Sequence, residues 1–239
     1  MANSLGQSLL ESNSAVNPAA MTLDTSDYVI LRTKPSRFGI SELSPFMLNS
    51  KFSIDEMRSI GLNLTGLGGN LYSEVSGEIR FSNKFADILT LGLSYEYSRL
   101  SIKDYGITGL STFNIGAVLE MADDLNAGFL LRNVTRNYTE SYDKTIYQQS
   151  VIGLAYRIAD NMIIEADAGI IINSNTTLGL GFKYMPHTDI SVRTAYRTNP
   201  NIFELGVIYS AFQDISIMLS IEHNELLGTN PEIALRYIF

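Results

Sequence analysis

The sequence predicts an all-β fold, a transmembrane antiparallel up-and-down β-barrel of about fourteen strands, with twelve as the alternative. Hydrophobic residues make up 45% of the chain, yet no stretch approaches the roughly 18 consecutive apolar residues of a membrane-spanning helix. From about Ser44 to the end, apolar and polar residues alternate with period two. Tyrosines recur near the ends of these segments. Because lipid offers no hydrogen bonds to the backbone, strands cross it only as a closed barrel.

The predicted barrel occupies residues 26–239 and follows an amino-terminal segment, 1–25, that is periplasmic or inserted in the lumen. Alternation before Leu71 is the weakest, which is why twelve strands remain an alternative. The predicted strands are 26–34, 44–54, 57–66, 71–82, 86–103, 107–121, 124–140, 145–158, 161–172, 175–185, 188–198, 201–210, 214–224 and 230–239.

Four tyrosines separate a membrane barrel from a soluble sheet, which would alternate as well. Tyr156, Tyr184, Tyr209 and Tyr237 lie on the apolar faces of their segments at intervals of 28, 25 and 28 residues, which is two strands and their turns. Aromatic residues in such a ring are typical of the lipid–water interface of membrane barrels. The turns after these tyrosines are short, and the segments 137–144 and 224–230 predict longer polar loops on the other rim.

The faces opposite the apolar residues carry charges of both signs, which are predicted to point into the lumen. Since buried charges persist only when they are paired, this face predicts either a lumen held together by ion pairs or a polar conduit that selects by charge. Lys183 and Glu232 share it. The candidate site residues are Glu165, Asp167, Arg193, Arg197, Glu204, Glu222 and Arg236.

Glycines also recur on the predicted inward face, among them Gly92, Gly116 and Gly181. In a barrel, such glycines allow close approach of another backbone. We therefore expect the first 25 residues to pack against them inside the lumen.

Residue types for catalysis or metal binding are sparse. The chain has no cysteine, His187 lies in a predicted turn, and Glu222 points to the opposite face from His223. The pair Asp123-Asp124 does not supply the six to eight oxygens that calcium needs. The sequence predicts no enzyme, no cofactor and no metal site. The net charge of −8 argues against nucleic acid as a partner.

The last predicted strand places Ile233, Leu235, Tyr237 and Phe239 on one face. It resembles the terminal strand of bacterial outer-membrane proteins, whose alternating apolar residues and closing aromatic are recognised by the barrel-assembly machinery. The resemblance makes Tyr237 and Phe239 the expected assembly signal. The alternative is a soluble β protein that ends in an aromatic residue.

Three further segments, 14–21 with Asn17-Pro18-Ala19, 38–43 and 100–106, resemble the FadL and PorV-like outer-membrane proteins. The resemblance implies a fourteen-stranded, porin-like barrel of the Gram-negative envelope. Members of the family carry hydrophobic compounds across the outer membrane or serve type IX secretion. This chain departs from the fatty-acid channels in its short amino-terminal segment and in lacking long ligand-binding loops, so no fatty-acid site is carried over.

The expected function is transport of small molecules, hydrophobic compounds included, across the bacterial outer membrane. The alternative is a barrel that transports nothing and docks a secretion or surface component, for which Leu226-Leu227 and Ile202-Phe203 are the apolar rim candidates. Expected partners are outer-membrane lipid, the assembly machinery and other envelope proteins. Met1-Ala2-Asn3-Ser4 does not begin a signal peptide, so we expect that one has been removed.

Overall fold

Fourteen antiparallel strands form one closed barrel, which confirms the predicted fold class and the count of fourteen over twelve. The computed structural model describes residues 16–35, 37–85, 88–135, 138–139, 144–145, 148–171 and 176–239. The strands are β1 (Tyr28–Thr33), β2 (Phe46–Ser53), β3 (Arg58–Gly68), β4 (Tyr72–Phe85), β5 (Leu89–Ile102), β6 (Gly106–Ala122), β7 (Leu125–Arg132), β8 (Tyr138–Thr139), β9 (Lys144–Thr145), β10 (Gln149–Ala159), β11 (Met162–Ile171), β12 (Thr177–His187), β13 (Ile190–Arg197), β14 (Ile202–Phe212), β15 (Ile215–Asn224) and β16 (Gly228–Ile238).

Each barrel strand pairs with its neighbours in the chain, and the short β8–β9 hairpin stands apart between β7 and β10. The seam joins β1 to β16, with Tyr28 opposite Ile238 and Thr33 opposite Ile233. Closure leaves no sheet edge, so the backbone groups of the wall are paired within the wall.

The outer surface of the barrel is apolar and the inner surface is polar. Large outward side chains such as Leu93, Leu180 and Leu219 are 58%, 59% and 56% exposed, whereas Glu78 and Arg80, which point inward, are 6% and 0% exposed. This is the reverse of a soluble protein, in which large apolar side chains are inside. An apolar belt around a polar interior is the arrangement of a membrane barrel.

The two rims of the barrel differ. On the rim that carries Tyr28 and Ile238, two-residue turns join β6 to β7, β10 to β11, β12 to β13 and β14 to β15, and the opposite rim carries the long connection from β1 to β2. Most of the loop predicted at 137–144 lies outside the described residues. Side chains of the predicted tyrosine ring point outward beside the short turns: Tyr156, Tyr209 and Tyr237 are about half exposed, and Tyr184 is less so.

Two predicted boundaries were wrong. The strand predicted at 124–140 ends at Arg132, because Asn133 adopts a left-handed φ of 51° and its backbone N–H donates to Asn114 Oδ1 at 3.0 Å. The predicted loop 224–230 is a three-residue turn, since Asn224 pairs with Gly228. Gly228 has a φ of 86°, which glycine adopts without strain.

Helices play a small part in the fold. In the described ranges they are 3-10 helices of three to six residues, Pro18–Leu23, Arg37–Gly39 and Ser41–Leu43. None of these helices has the length and apolar character needed to cross a membrane.

Candidate functional site: the plugged lumen

Residues 16–27, which we call the plug, lie against the inner wall of the barrel. Their 3-10 helix Pro18–Leu23 packs on β3, β4, β5 and β6. Asn17 caps it, accepting a hydrogen bond from Ala19 N at 3.0 Å, and Asn17 Nδ2 donates to Phe129 O of β7 at 3.3 Å. The side chains of Asn17, Ala19 and Met21 are completely buried. Residues 1–15 lie outside the described residues. The predicted division into an amino-terminal segment, 1–25, and a barrel, 26–239, therefore stays a prediction.

Two glycines receive the Asn17-Pro18-Ala19 turn. Gly92 of β5 and Gly116 of β6 are opposite each other in the ladder. A Cβ on Gly92 would overlap Ala19 N, and one on Gly116 would overlap Asn17 Oδ1. Ala19 N and Asn17 Oδ1 are hydrogen-bonded to each other in the helix cap and cannot move apart freely. The barrel wall must therefore leave room for them. Only glycine meets that requirement.

Apolar contacts complete the seat of the plug. Val16 packs with Leu130 of β7 and Val151 of β10. Ala19 and Ala20 pack with Val118 of β6. These inward apolar side chains are an exception on a polar inner wall, and they lie where the plug covers them. The wall is therefore matched to the plug in shape and in polarity.

Buried Lys51 of β2 holds the end of the plug where it joins β1. Its ammonium group donates to Asp24 O at 2.8 Å, Ser26 O at 3.0 Å and Ser53 Oγ at 2.7 Å, and lies 3.5 Å from Asp27 Oδ1. All three ammonium protons are used. Partial burial raises the pKa of Asp27, but hydrogen bonds from Ser53 and the Lys51 charge outweigh it and hold that pKa below its ordinary value.

Arg236, one of the predicted lumen residues, contacts the same end of the plug. Its guanidinium group forms an ion pair with Asp24 and lies 4.6 Å above the centre of the buried Tyr28 ring. The structure therefore places Arg236 at the base of the plug, where it joins β16 to the residues that precede β1.

The other predicted lumen charges lie on the inner face of β11–β15, which we call the ionic wall. The helix of the plug packs instead on β3–β6. Glu165 and Glu222 are 3% and 6% exposed, and the rest are half-buried. The residues of the ionic wall that the sequence singled out are Glu165, Asp167, Arg193, Arg197, Glu204 and Glu222.

A cationic pair sits at the centre of the ionic wall. Lys183 lies opposite Arg193, and Glu165 and Glu204 lie one inward position away on the flanking strands, opposite Gly181 and Ala195 respectively. A shallow pocket opens between these strands. It is lined by Ile163, Glu165, Gly181, Phe182, Lys183, Arg193 and Thr194.

A second ionic group lies near the rim of long loops and includes two residues that sequence reasoning missed. Lys34 Nζ is 2.8 Å from Glu222 Oε2 and 3.3 Å from Glu232 Oε2, and Arg32 Nε is 3.3 Å from Glu232 Oε1. Arg32 and Lys34 share the inward face of their segment with Tyr28, so period two could have found them, as it could have found Lys51 on β2. Their partners could be assigned only once β1 was known to pair with β16.

The segment between β1 and β2 lies over this group. Phe38 N donates to Asn230 Oδ1 at 2.7 Å, and Asn230 is a completely buried inward residue of β16. Phe38 and Gly39 have φ values of 56° and 78°, which turn the chain back toward β16. The loop therefore narrows the lumen at the rim opposite the base of the plug.

Among the described residues, no group of three or more His, Cys, Asp or Glu side chains is arranged to hold a metal ion. His187 is the last residue of β12, not a turn residue as predicted, and it is exposed beside Asp189. His223 is exposed and bonds to Thr229, on the face opposite buried Glu222.

The predicted assembly signal lies on the outer surface. Tyr237 and Phe239 are about half exposed, with their rings 6.0 Å apart, and Phe239 also lies 5.6 Å from the Phe52 ring. These residues form an aromatic patch beside the seam. Recognition by the assembly machinery stays a prediction.

No protein-family model and no curated protein matches this sequence, but solved structures match its fold over the whole chain. A FadL homologue of Pseudomonas aeruginosa is 13% identical with a TM-score of 0.69, covering 98% of this chain and 96% of its own. The toluene transporter TbuX of Ralstonia pickettii is 10% identical with a TM-score of 0.72, and the match covers 99% of this chain and 96% of that chain.

The toluene transporter TodX of P. putida is 11% identical at a TM-score of 0.73, with 98% of this chain and 96% of that chain covered. At such identities the likeness is one of architecture, and it confirms the resemblance that the amino-terminal motif and the hairpin pattern predicted. The barrel of this chain has the FadL-like fold.

Proposed function

We propose that this chain is a bacterial outer-membrane channel for small molecules, and that it transports rather than catalyses. The observation that carries the proposal is a closed barrel whose apolar outer belt encloses a polar lumen, with a separate segment seated in that lumen on glycines. A barrel with only an anchoring role needs no shaped seat for an internal segment. The neighbouring transporters of the same fold support the same conclusion.

The plug is the barrier in this proposal. It fills the side of the lumen formed by β3–β7 and β10, and the β1–β2 loop narrows the opposite rim. Passage therefore follows the ionic wall, on the other side of the lumen. Insertion into the outer membrane would proceed through the strand that carries Tyr237 and Phe239.

Two classes of cargo are supported by different observations. The neighbours TbuX and TodX are toluene transporters, which favours small hydrophobic molecules. The ionic wall favours polar solutes, because an apolar molecule gains nothing from displacing water around paired charges. Permeation of one polar solute and one hydrophobic solute therefore has to be measured.

Permeation into proteoliposomes tests the proposal. We expect the purified barrel, in vesicles whose outer leaflet is lipopolysaccharide, to admit arabinose or toluene faster than the same vesicles without protein do, and Gly116→Val, which displaces the plug, to increase the rate. Gly66→Val is the matched control, since nothing lies within 4 Å of the Cβ position at Gly66. If neither solute enters faster, with the plug seated or displaced, transport is the wrong function.

Docking remains a second candidate because Leu226 and Leu227 are 75% and 54% exposed in the β15–β16 turn. Of the other two apolar rim residues singled out from the sequence, Ile202 is 7% exposed and points inward, whereas Phe203 is 48% exposed. Native mass spectrometry of barrel extracted gently from its own membrane separates the two functions. A fixed-stoichiometry protein assembly that Leu226→Ser/Leu227→Ser abolishes would favour docking.

A further inference from the structure

The pairing of Lys183 with Arg193 is unfavourable for a wall that serves only to be stable. The two residues are directly opposite on β12 and β13, where paired Cα atoms are about 5 Å apart. Like charges at such positions destabilise a sheet. The pair nevertheless lies in the lumen, on strands whose outward neighbours Leu180 and Tyr196 face lipid.

Carboxylates flank the cation pair on both sides. Glu165 on β11 is opposite Gly181, and Glu204 on β14 is opposite Ala195. Gly181 and Ala195 are themselves opposite each other. The sequence of inward residues across four strands is therefore acid, glycine, alanine, acid, and the two cations lie about 7 Å below it, the rise of two strand residues.

The centre of this arrangement is open because its residues are small. Gly181 and Ala195 present almost no side chain between the two carboxylates, and the inward position beside Arg193 on β14 is Gly206. The pocket of the ionic wall lies at this place and includes Glu165, Lys183 and Arg193. Glu165, Lys183 and Arg193 line this small depression, and Glu204 lies on the next strand opposite Ala195. The four groups together carry no net formal charge.

We propose that this cluster binds small zwitterions that carry an ammonium group and a carboxylate one or two carbons apart, the chemistry of α- and β-amino acids. The ligand carboxylate is held by Lys183 and Arg193, and its ammonium group by Glu165 or Glu204. This inference rests on the proposed channel function and names its substrate class. A simple anion held by the lysine and arginine would also lie close to the two carboxylates and be repelled by them. A simple cation held by the carboxylates would be repelled by the lysine and arginine.

Binding at this site is weak by construction. When a zwitterion binds, ion pairs between side chains of the wall are replaced by ion pairs between the wall and the ligand. The number of charge contacts therefore changes little. A channel needs such a site, since a solute must be held well enough to enter and loosely enough to leave. We expect saturation in the millimolar range.

Uptake of radiolabelled glycine into proteoliposomes that contain the full chain tests the site. We expect saturable uptake in which unlabelled β-alanine competes, whereas acetate and methylammonium, the two halves of the ligand, do not. Lys183→Met/Arg193→Met should lower glycine uptake at least tenfold and change arabinose entry far less. Lys183→Arg should keep most of the uptake.

Glu120→Gln is the matched control, because Glu120 forms an ion pair with Lys84 at 2.9 Å on the wall covered by the plug. An equal loss of glycine and arabinose entry in the double variant would overturn the site, since the cations would then be structural. Equal competition by acetate would overturn the zwitterion class. Arabinose entry without any glycine preference would reject the site and keep the channel, whereas no entry of either solute would reject the channel itself.

Discussion

The two sides of the lumen are built on different principles. On the plug side, Gly92 and Gly116 leave space for polar atoms of a cap, and Val118, Leu130 and Val151 bury apolar side chains. On the ionic wall, small residues lie between charges of both signs and the described part of the plug contributes little. One continuous barrel wall thus has a region whose contacts are specified by shape and another whose contacts are specified by charge.

The difference teaches where sensitivity to conditions should lie. Contacts matched in shape tolerate neither added nor lost volume, but they are indifferent to salt. Ion pairs tolerate small displacements and are weakened by screening. We therefore expect substitutions to affect the plug side most, and changes of salt or pH to act where charges are paired.

The largest effect is expected at Lys51, because Lys51→Met leaves the oxygens of Asp24, Ser26 and Asp27 without their buried cation. Breaking a buried pair of this kind costs about 3 kcal/mol. Urea unfolding of the refolded barrel in lipid vesicles measures it. Lys103→Met, in an exposed turn, is the control. Equal midpoints for the two variants would show that Lys51 does not anchor the plug.

Gly116→Val should cost about 2 kcal/mol through overpacking and unseat the plug. Since the chain has no cysteine, a single Ala19→Cys reports directly on the seat. We expect the buried thiol to react with a maleimide at least tenfold faster in the presence of Gly116→Val than with Gly66→Val. Unchanged labelling would mean that the glycine pair is not needed for seating.

On the charged side, Glu222→Gln should cost about 1.5 kcal/mol, the magnitude of a hydrogen bond to a charged group, because Lys34 then keeps only Glu232. The cost should shrink slightly in 1 M salt, less than for an exposed pair because Lys34 and Glu222 are buried, whereas that of Gly116→Val should not change. Unfolding curves at low and high salt provide the comparison. A cost that does not depend on salt would place Glu222 with the contacts specified by shape.

The smallest effect concerns pH. The pKa of Asp27 is held below its ordinary value of about 3.9, so its carboxylate stabilises the fold at neutral pH and this contribution is lost as the pH falls through the folded pKa. Asp27→Asn should cost less than about 1 kcal/mol at pH 7. The difference from the unsubstituted chain should shrink as the pH falls below the ordinary pKa of an aspartate, about 3.9. A difference that grows on acidification would contradict the assignment.

Strand positions could be predicted closely because lipid imposes period two on each crossing, so the outward residues of β11–β16 are visible in the sequence itself. The end of β7 could not, because it depends on a hydrogen bond from Asn133 to Asn114, two residues that meet only after β6 and β7 pair. The local pattern of a sequence indicates which residues of a strand face lipid. It does not indicate where a contact with a neighbouring strand will end that strand.

The site was predicted in part for the same reason. The candidates Glu165, Asp167, Arg193, Arg197, Glu204 and Glu222 all lie along one wall, and alternation was enough to select them. The seam hid the rest. Arg32 and Lys34 find their partners on β15 and β16, nearly 200 residues away in the chain, so their pairing depends on the register of closure. Lys51 finds its partners within 27 residues, and its pairing depends on how the plug returns beside β2.

That seam has a consequence for the order of assembly. Arg236 reaches Asp24 and Tyr28 only when β16 lies beside β1 in the observed register, and Phe239 N then donates to Asp27 O at 3.2 Å. A slip of one residue would turn Arg236 toward lipid and leave Asp24 unmatched. The strand that closes the wall against β1 is therefore also the one that holds the plug, so a barrel closed in the wrong register would be left with a loose segment that proteases can cut.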